Sequence, residues 1–446
     1  MKRRSPIGNF STLLFTGIIF IFFISCNTTQ KVAVDLKDLS YLYNPTKSSI
    51  KPRFNVFNSS DQLSVLSVKL FASDLFFSEA NPQGIPIAQI LITAKLYNVS
   101  DARSLSDTSD LEADIVKEAS HKEYVYNLPL KADPGMDYII EVKLLDKLRT
   151  EVIQEFVPFN TRSQDNRYNY IALGHFRKNE LFNPVVRVNE YVNLLYPSKP
   201  ADTLYISFFK PFREIPYPPA MLVPEKTIDY PADTVVAVAY SDTLPIMFPK
   251  EGIFFCSVKR DSEDGYTFYN FGGTFPTMTK PEQMVEPLSY LASEDEMNTM
   301  RSSSKPKISL DEFWVKCGGN IEKSRELIRI YYTRVLYSNY YFTSFKEGWR
   351  TERGMIYIIY GPPDKVYKSP EGESWGYSKP VLKSKWGGGY HLEENYLFFN
   401  FKVRENRFTD NDYYLSRSET LISFWDKAIA SWRKGIVFRL DNPEDL

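Results

Sequence analysis

The chain has 446 residues, a formal charge of −1 at neutral pH and 15% aromatic residues, with 30 Tyr, 32 Phe and 28 Pro. That balance gives no basic field for nucleic acid, and loss of Lys2, Arg3 and Arg4 with a leader would take the charge to −4. So long a chain exceeds one ordinary hydrophobic core, and its aromatic and proline content favours strands and turns in two or three domains.

Residues 1–25 read as a signal peptide. Lys2, Arg3 and Arg4 are followed by the apolar run 13–24, LLFTGIIFIFFI. That run suits a signal-peptide core and falls short of the ~20 residues a membrane span needs. Ser25 then Cys26 closes the segment as a lipoprotein leader does, with Phe23 where leucine is usual. Cys26 is therefore the expected lipid-attachment site, and its palmitate and glyceride chains the expected link to a membrane. Asn27 and the non-acidic stretch 28–31 favour the periplasmic face of the outer membrane over the cell surface.

Residues 26–50, polar and aperiodic, read as a tether. Residues 51–162 alternate as short strands, clearest at 63–70, 85–97, 124–130, 138–145 and 152–159, with Asp133-Pro134-Gly135 as a turn. The serine-rich, charged stretch 100–117 reads as an excursion between them. A second β-rich domain is expected over 163–280, with strands at 168–173, 203–209, 234–240, 252–258 and 266–271. Six prolines between Lys210 and Pro231 place that stretch at a surface or edge.

Residues 281–305 read as a helical linker. Ser309 with Glu312 fits a capping box, and Leu310, Phe313, Trp314 and Cys317 follow on one helical face. Gly318-Gly319 stops that helix, and Asn320 caps another that runs to about 341 and buries Ile321, Ile328, Tyr331 and Val335. Residues 355–360, apolar on both alternating faces, read as a central buried strand, and 396–403 as a second one. The expected fold is multidomain: two β-rich, sandwich-like antiparallel domains, then a C-terminal α+β domain over 306–446.

Within that last domain the run Gly348-Trp349-Arg350-Thr351-Glu352-Arg353-Gly354, followed by Tyr360-Gly361-Pro362-Pro363-Asp364, resembles the GWxTD domain of bacterial envelope proteins. Phe313-Trp314, the tyrosine-rich helix and Trp375-Gly376-Tyr377 fit as well, over roughly residues 306–420. The sequence departs from the family at Glu352, where the family carries aspartate. The resemblance implies a lipid-anchored or periplasmic protein and brings no reaction or ligand with it. The residues themselves suggest fold-fixing roles. Gly348 and Gly354 would permit positive φ, Thr351 and Glu352 would take stray backbone donors, and Trp349 would pin the loop. Pro362 and Pro363 would end the strand, and Asp364 would cap the next element.

Chemistry-bearing patterns are sparse. His121, His175 and His391 have no second ligand at metal spacing, and no nucleophile elbow or phosphate loop occurs. Cys256 and Cys317 sit in apolar company and read as two buried structural cysteines, with a disulfide between them permitted in an oxidising compartment. No metal or cofactor is expected. The first reading is a non-catalytic outer-membrane lipoprotein belonging to an envelope protein assembly, with envelope proteins as partners. The second is a glycan-binding lipoprotein stacking sugars on Trp386 and Tyr390 in KWGGGYH, and the third an uncharacterised hydrolase. Replacement of Cys26 by alanine is expected to abolish incorporation of labelled palmitate; full labelling of that variant would refute the anchor.

Overall fold

Alternation of apolar and polar residues builds the first part of the chain into two facing antiparallel sheets. The computed structural model describes residues 37–80, 84–99, 104–119, 121–197, 199–219, 221, 230–384 and 390–440. Cys26 and the leader lie outside them. β1 (Arg53–Ser60) and β2 (Leu63–Phe71) form a hairpin, and β3 (Glu79–Ala80) precedes the long β4 (Pro86–Asn98). β5 (Ser104–Val116), β6 (Glu123–Lys131), β7 (Asp137–Asp146) and β8 (Glu151–Asn160) complete the set. One sheet runs β1-β2-β6, and the other runs β3-β4-β7-β8 with β5 added on β4. Leu66, Val68 and Leu70 of one sheet share a core with Ile90, Ile92, Ile140, Val142 and Leu144 of the other.

The expected excursion at 100–117 is corrected here. β5 pairs with β4 from Ile87↔Val116 to Asn98↔Ser104, with one register shift between Leu96 and Tyr97. An edge strand needs only backbone pairing on one side, so Ser and Asp are tolerated along most of it, while Leu111, Ala113 and Ile115 alternate onto the core. Of its residues only Ile115 is buried.

The second block contains β9 (Ile171–Gly174), β10 (Tyr191–Leu195), β11 (Thr203–Phe209), β12 (Thr234–Ala239), β13 (Ile246–Met247), β14 (Gly252–Ser257) and β15 (Tyr266–Asn270). Its sheets are β13-β10-β9 and β12-β11-β14-β15. Every residue of β14 is buried. One of its faces packs with Val192, Leu194 and Phe248, while Ile253 and Phe255 on the other meet Phe345 and Phe408. A boundary at 280 therefore does not separate two cores.

The C-terminal part begins with α1 (Pro281–Val285), a 3-10 turn over Glu286–Tyr290 and α2 (Glu294–Ser302). The expected helical character is present, but Ser293 and Glu296 form a reciprocal capping box that starts α2, so the stretch is not one helix. Nor is it a linker: Val285, Leu288, Tyr290, Leu291, Met297 and Met300 enter the largest core. α3 (Pro306–Gly318) starts at a proline rather than at Ser309, whose hydroxyl instead donates to Ser303 Oγ at 2.7 Å. Leu310, Phe313, Trp314 and Cys317 are buried as their spacing implies, and Gly319 ends the helix at φ 76°. Asn320 accepts from Lys323 N to cap α4 (Ile321–Phe342), although Ile321 is exposed rather than buried.

α5 (Glu352–Tyr360) replaces the strand expected at 355–360. All residues from Arg353 to Tyr360 are buried, so the helix shows no polar face, and a short apolar run cannot by itself distinguish the two. Beyond it lie β16 (Lys365–Ser369), β17 (Gly372–Ser378), β18 (Val381–Ser384), β19 (Tyr390–Glu393), β20 (Tyr396–Val403), β21 (Tyr413–Leu415) and α6 (Glu419–Arg433). The sheet order is β16-β17-β20-β21, with β18 and β19 a separate hairpin.

The tether assignment also changes from Lys37 onward. Leu39 N–H donates to Val366 O at 2.8 Å, and Leu39 and Tyr43 are buried in the C-terminal core. The fold thus folds its first described residues into its last domain.

Helices α2, α3 and α6 are clamped by Glu296, whose carboxylate accepts from both Arg433 nitrogens at 2.8 and 2.7 Å and from Lys316 at 2.8 Å. Burial alone would raise its pKa, but these donors and the Ser293 N–H outweigh that and hold it at about 2. A carboxyl depressed on folding stabilises fully above its unfolded pKa and loses that contribution as pH falls toward the folded value. Thermal unfolding is therefore expected to show Glu296→Gln lowering Tm at pH 7, with the gap to the unaltered chain closing as the pH drops from about 4.5 toward 2.

Candidate functional site

The motif residues lie where the end of α4, a 3-10 turn over Gly348–Arg350 and α5 cross at close range. A Cβ on Gly348 would collide with the Ser338 carbonyl, and one on Gly354 with the Gly348 carbonyl. Neither glycine has positive φ, so the expectation of left-handed backbone is corrected. Absence of a side chain, not backbone freedom, is what these positions require. Ser338 Oγ also donates to Arg334 O within α4 at 2.8 Å.

Trp349 is 1% exposed. Its N–H donates to Asn339 Oδ1 at 3.1 Å, its carbonyl accepts from Tyr290 Oη at 2.7 Å, and the Arg350 guanidinium lies 4.0 Å from its ring. Thr351 caps α5: Oγ1 accepts from Gly354 N at 3.0 Å and donates to Gly348 O at 2.7 Å. Glu352 takes no backbone donor, contrary to expectation. Its two oxygens accept from Arg417 Nη2 at 2.9 and 2.8 Å. Burial pushes this carboxyl above the ordinary glutamate range, and Arg417 offsets the effect only in part.

Gly361 ends α5 at φ 89°, a conformation that favours glycine. The last carbonyls of α5 are satisfied by side chains: Arg334 Nη1 donates to Ile358 O and Ile359 O, and Trp432 Nε1 donates to Ile359 O at 3.0 Å. Pro362 and Pro363 come next, so they end a helix instead of a strand. Asp364 caps no helix; its N–H donates to Gly376 O and its Oδ2 accepts from Ser378 N at 2.8 Å, fixing the end of β17.

Arg353, inside the motif but not singled out from sequence, proves central. It is 2% exposed, and Nη1 donates to Glu373 Oε1 at 3.0 Å. Its guanidinium also reaches Asn411 and lies 3.7 Å from the centre of the Tyr413 ring. Glu373 further accepts from Tyr43 Oη at 2.7 Å and Trp375 Nε1 at 2.9 Å. Lys368 stands 3.8 Å from Glu373 and pairs with Glu155 at 2.8 Å. Burial would raise Glu373, but Arg353 and Lys368 hold it below the ordinary range. The sequence signal was a single carboxylate in the otherwise aromatic strand β17, GESWGYS.

This arrangement fixes structure and leaves no unpaired carboxylate for proton transfer at either Glu352 or Glu373. Elsewhere, His175 Nδ1 lies 3.0 Å from Asn193 Oδ1. Cys256 and Cys317 are free and buried, and burial pushes the Cys256 thiol up to about 12. Among the described residues, no group of three or more His, Cys, Asp or Glu side chains could hold a metal ion. A 440 Å³ cleft lies between Tyr290–Ser293, Glu296 and α6, and a 340 Å³ one beside Ala72–Phe77; neither is lined by a motif residue. Trp386 lies outside the described residues. Tyr390 opens β19, and its side chain lies outside them too.

Gly348→Ala is expected to cost about 3 kcal/mol, because the obstacle is backbone that cannot turn aside. Urea unfolding should show a lowered midpoint at unchanged slope, whereas Gly273→Ala, which meets nothing within 4 Å, should unfold as the unaltered chain does.

Residues 252–434 match the family model of the GWxTD domain. The match starts before residue 306 and takes in β14 and β15, the strands whose outer face Phe345 and Phe408 cover. Two glycosyl hydrolase family 2 members from Bacteroides cellulosilyticus are similar in structure at 11% and 10% identity. Those matches cover 34% and 35% of this chain and 16% and 18% of theirs, each at a TM-score of 0.18, too slight to carry an argument. No curated protein matches the chain.

Proposed function

Because residues 252–434 form a GWxTD domain, we propose that this protein is a non-catalytic, lipid-anchored component of an outer-membrane protein assembly, held at the periplasmic face through Cys26. The observation that carries the non-catalytic part is the state of the motif. Gly348, Trp349, Thr351, Glu352 and Arg353 all make contacts within the fold: the Trp349 backbone pairs with Asn339 and Tyr290, Glu352 with Arg417 and Arg353 with Glu373, while Trp349 Nε1 is buried without a partner. A motif engaged in this way preserves a shape. Shape is what a scaffold or adaptor offers its neighbours.

The membrane part of the reading rests on the leader and Cys26. From Cys26 to Lys37, where the compact unit begins, an extended chain would span no more than about 40 Å, so the body would stay near the bilayer. No helix among the described residues is long and apolar enough to cross a membrane.

Purification of the full chain through a C-terminal tag from detergent-solubilised envelopes tests the reading. Stoichiometric envelope proteins are expected to accompany it, and to be lost when Cys26→Ala releases the chain from the membrane. A tagged chain that elutes alone from intact envelopes would overturn it.

A further inference from the structure

Among the described residues, the edge strands of the larger sheets carry features that discourage pairing with another chain, and β12 departs from this. β5 carries Asp107, Asp110, Glu112 and Asp114; β6 and β8 contain Pro129 and Pro158; β1 ends in a register shift between Asn58 and Ser60. β15 is bridged by Val185, and β16 by Leu39, while β13 and β21 are very short. Charges, prolines, bulges and covers of these kinds keep strands from pairing with other chains. β12, TVVAVA, has none of them. It is the outer strand of β12-β11-β14-β15, and all its residues but Val238 are exposed, Val235 at 46% and Val236 at 50%.

Its register determines which backbone groups are open. Tyr240 N–H donates to Asp202 O, and Val238, Val236 and Thr234 stand opposite Leu204, Ile206 and Phe208. In an antiparallel ladder alternate residues bond to one side, so the N–H and C=O groups of Val235, Ala237 and Ala239 point away from the sheet.

The geometry points to β12 as a strand-addition site for a second copy of this chain, paired antiparallel about a two-fold axis at Ala237. That register sets Val236 against Val238 of the second copy, Val235 against its Ala239 and Thr234 against its Tyr240. Asp233 falls opposite Ser241, so no like charges meet, and the small Ala237 pair sits where the axis passes. An isologous contact requires such self-complementarity. The two sheets then become one continuous sheet, and the open backbone groups of both copies are satisfied. This inference goes beyond the assembly role proposed above and does not depend on it or on the lipid anchor.

The test uses the full chain in detergent. An unaltered chain is expected to sediment as a dimer, and Ala237→Cys to form a disulfide-linked dimer under oxidation, since hydrogen-bonded antiparallel pairs place α-carbons about 5.5 Å apart. Ala239→Cys, displaced from the axis, is expected not to link. Ala237→Pro removes an outward N–H and no bond to β11, and should give a monomer with unchanged circular dichroism and Tm. A monomeric unaltered chain, an Ala237→Cys chain that folds without linking, or a dimer that survives Ala237→Pro would overturn the inference. So would capture of a different protein at position 237 in place of the second copy. Failure here leaves the pull-down result above untouched.

Discussion

A carboxylate buried without partners is costly enough that a protein either neutralises it or surrounds it. Glu373 is surrounded. Its charge is met by Arg353 from α5, Lys368 from β16, the Tyr43 hydroxyl from the N-terminal segment and the Trp375 indole from its own strand. Lys368 in turn reaches Glu155 of β8, in the first sandwich. Each donor comes from a different part of the fold, so the charge is satisfied only when all of those parts are seated. Loss of any one of those partners would leave a buried charge short of compensation, which is costly.

The close approach at Gly348 and Gly354 serves the same end. Bringing the motif turn against α4 places Thr351 at the start of α5, and α5 then delivers Arg353 to Glu373. Glu352, where the family carries aspartate, is compatible with this because its carboxylate leaves the turn and pairs with Arg417 near α6. The longer side chain has a partner at its own reach, and the cap of α5 is supplied by Thr351 without it.

Much of this was legible from the residues. Period-two alternation marked β2, β4 and β7, and spacing of three and four marked α3, because in each case one face meets solvent and the other the core. The signal failed where that contrast vanishes. α5 is buried all round and so reads like a central strand, while β5 carries Ser and Asp on both faces over most of its length and so reads like a loop. Leu39 and Tyr43 belong to no periodic element, and their destination beside Val366 and Glu373 is set by contacts more than 300 residues away in sequence. The motif's glycines were recognised as special for the wrong reason, since sequence cannot separate a need for positive φ from a need for no side chain.

The insertion of residues 37–46 into the C-terminal domain has a mechanical consequence. Force arriving at Lys37 would reach the first sandwich at once, because Lys37 Nζ donates to Gln154 Oε1 at 2.8 Å and Tyr41 Oη to Gln154 O at 2.5 Å, both on β8. It would also enter through Leu39 on β16 and through Tyr43 on Glu373 and Tyr357, loading the domain made last. Residues 37–46 thus grip the first sandwich and the C-terminal domain together, and tension on them is shared between the two.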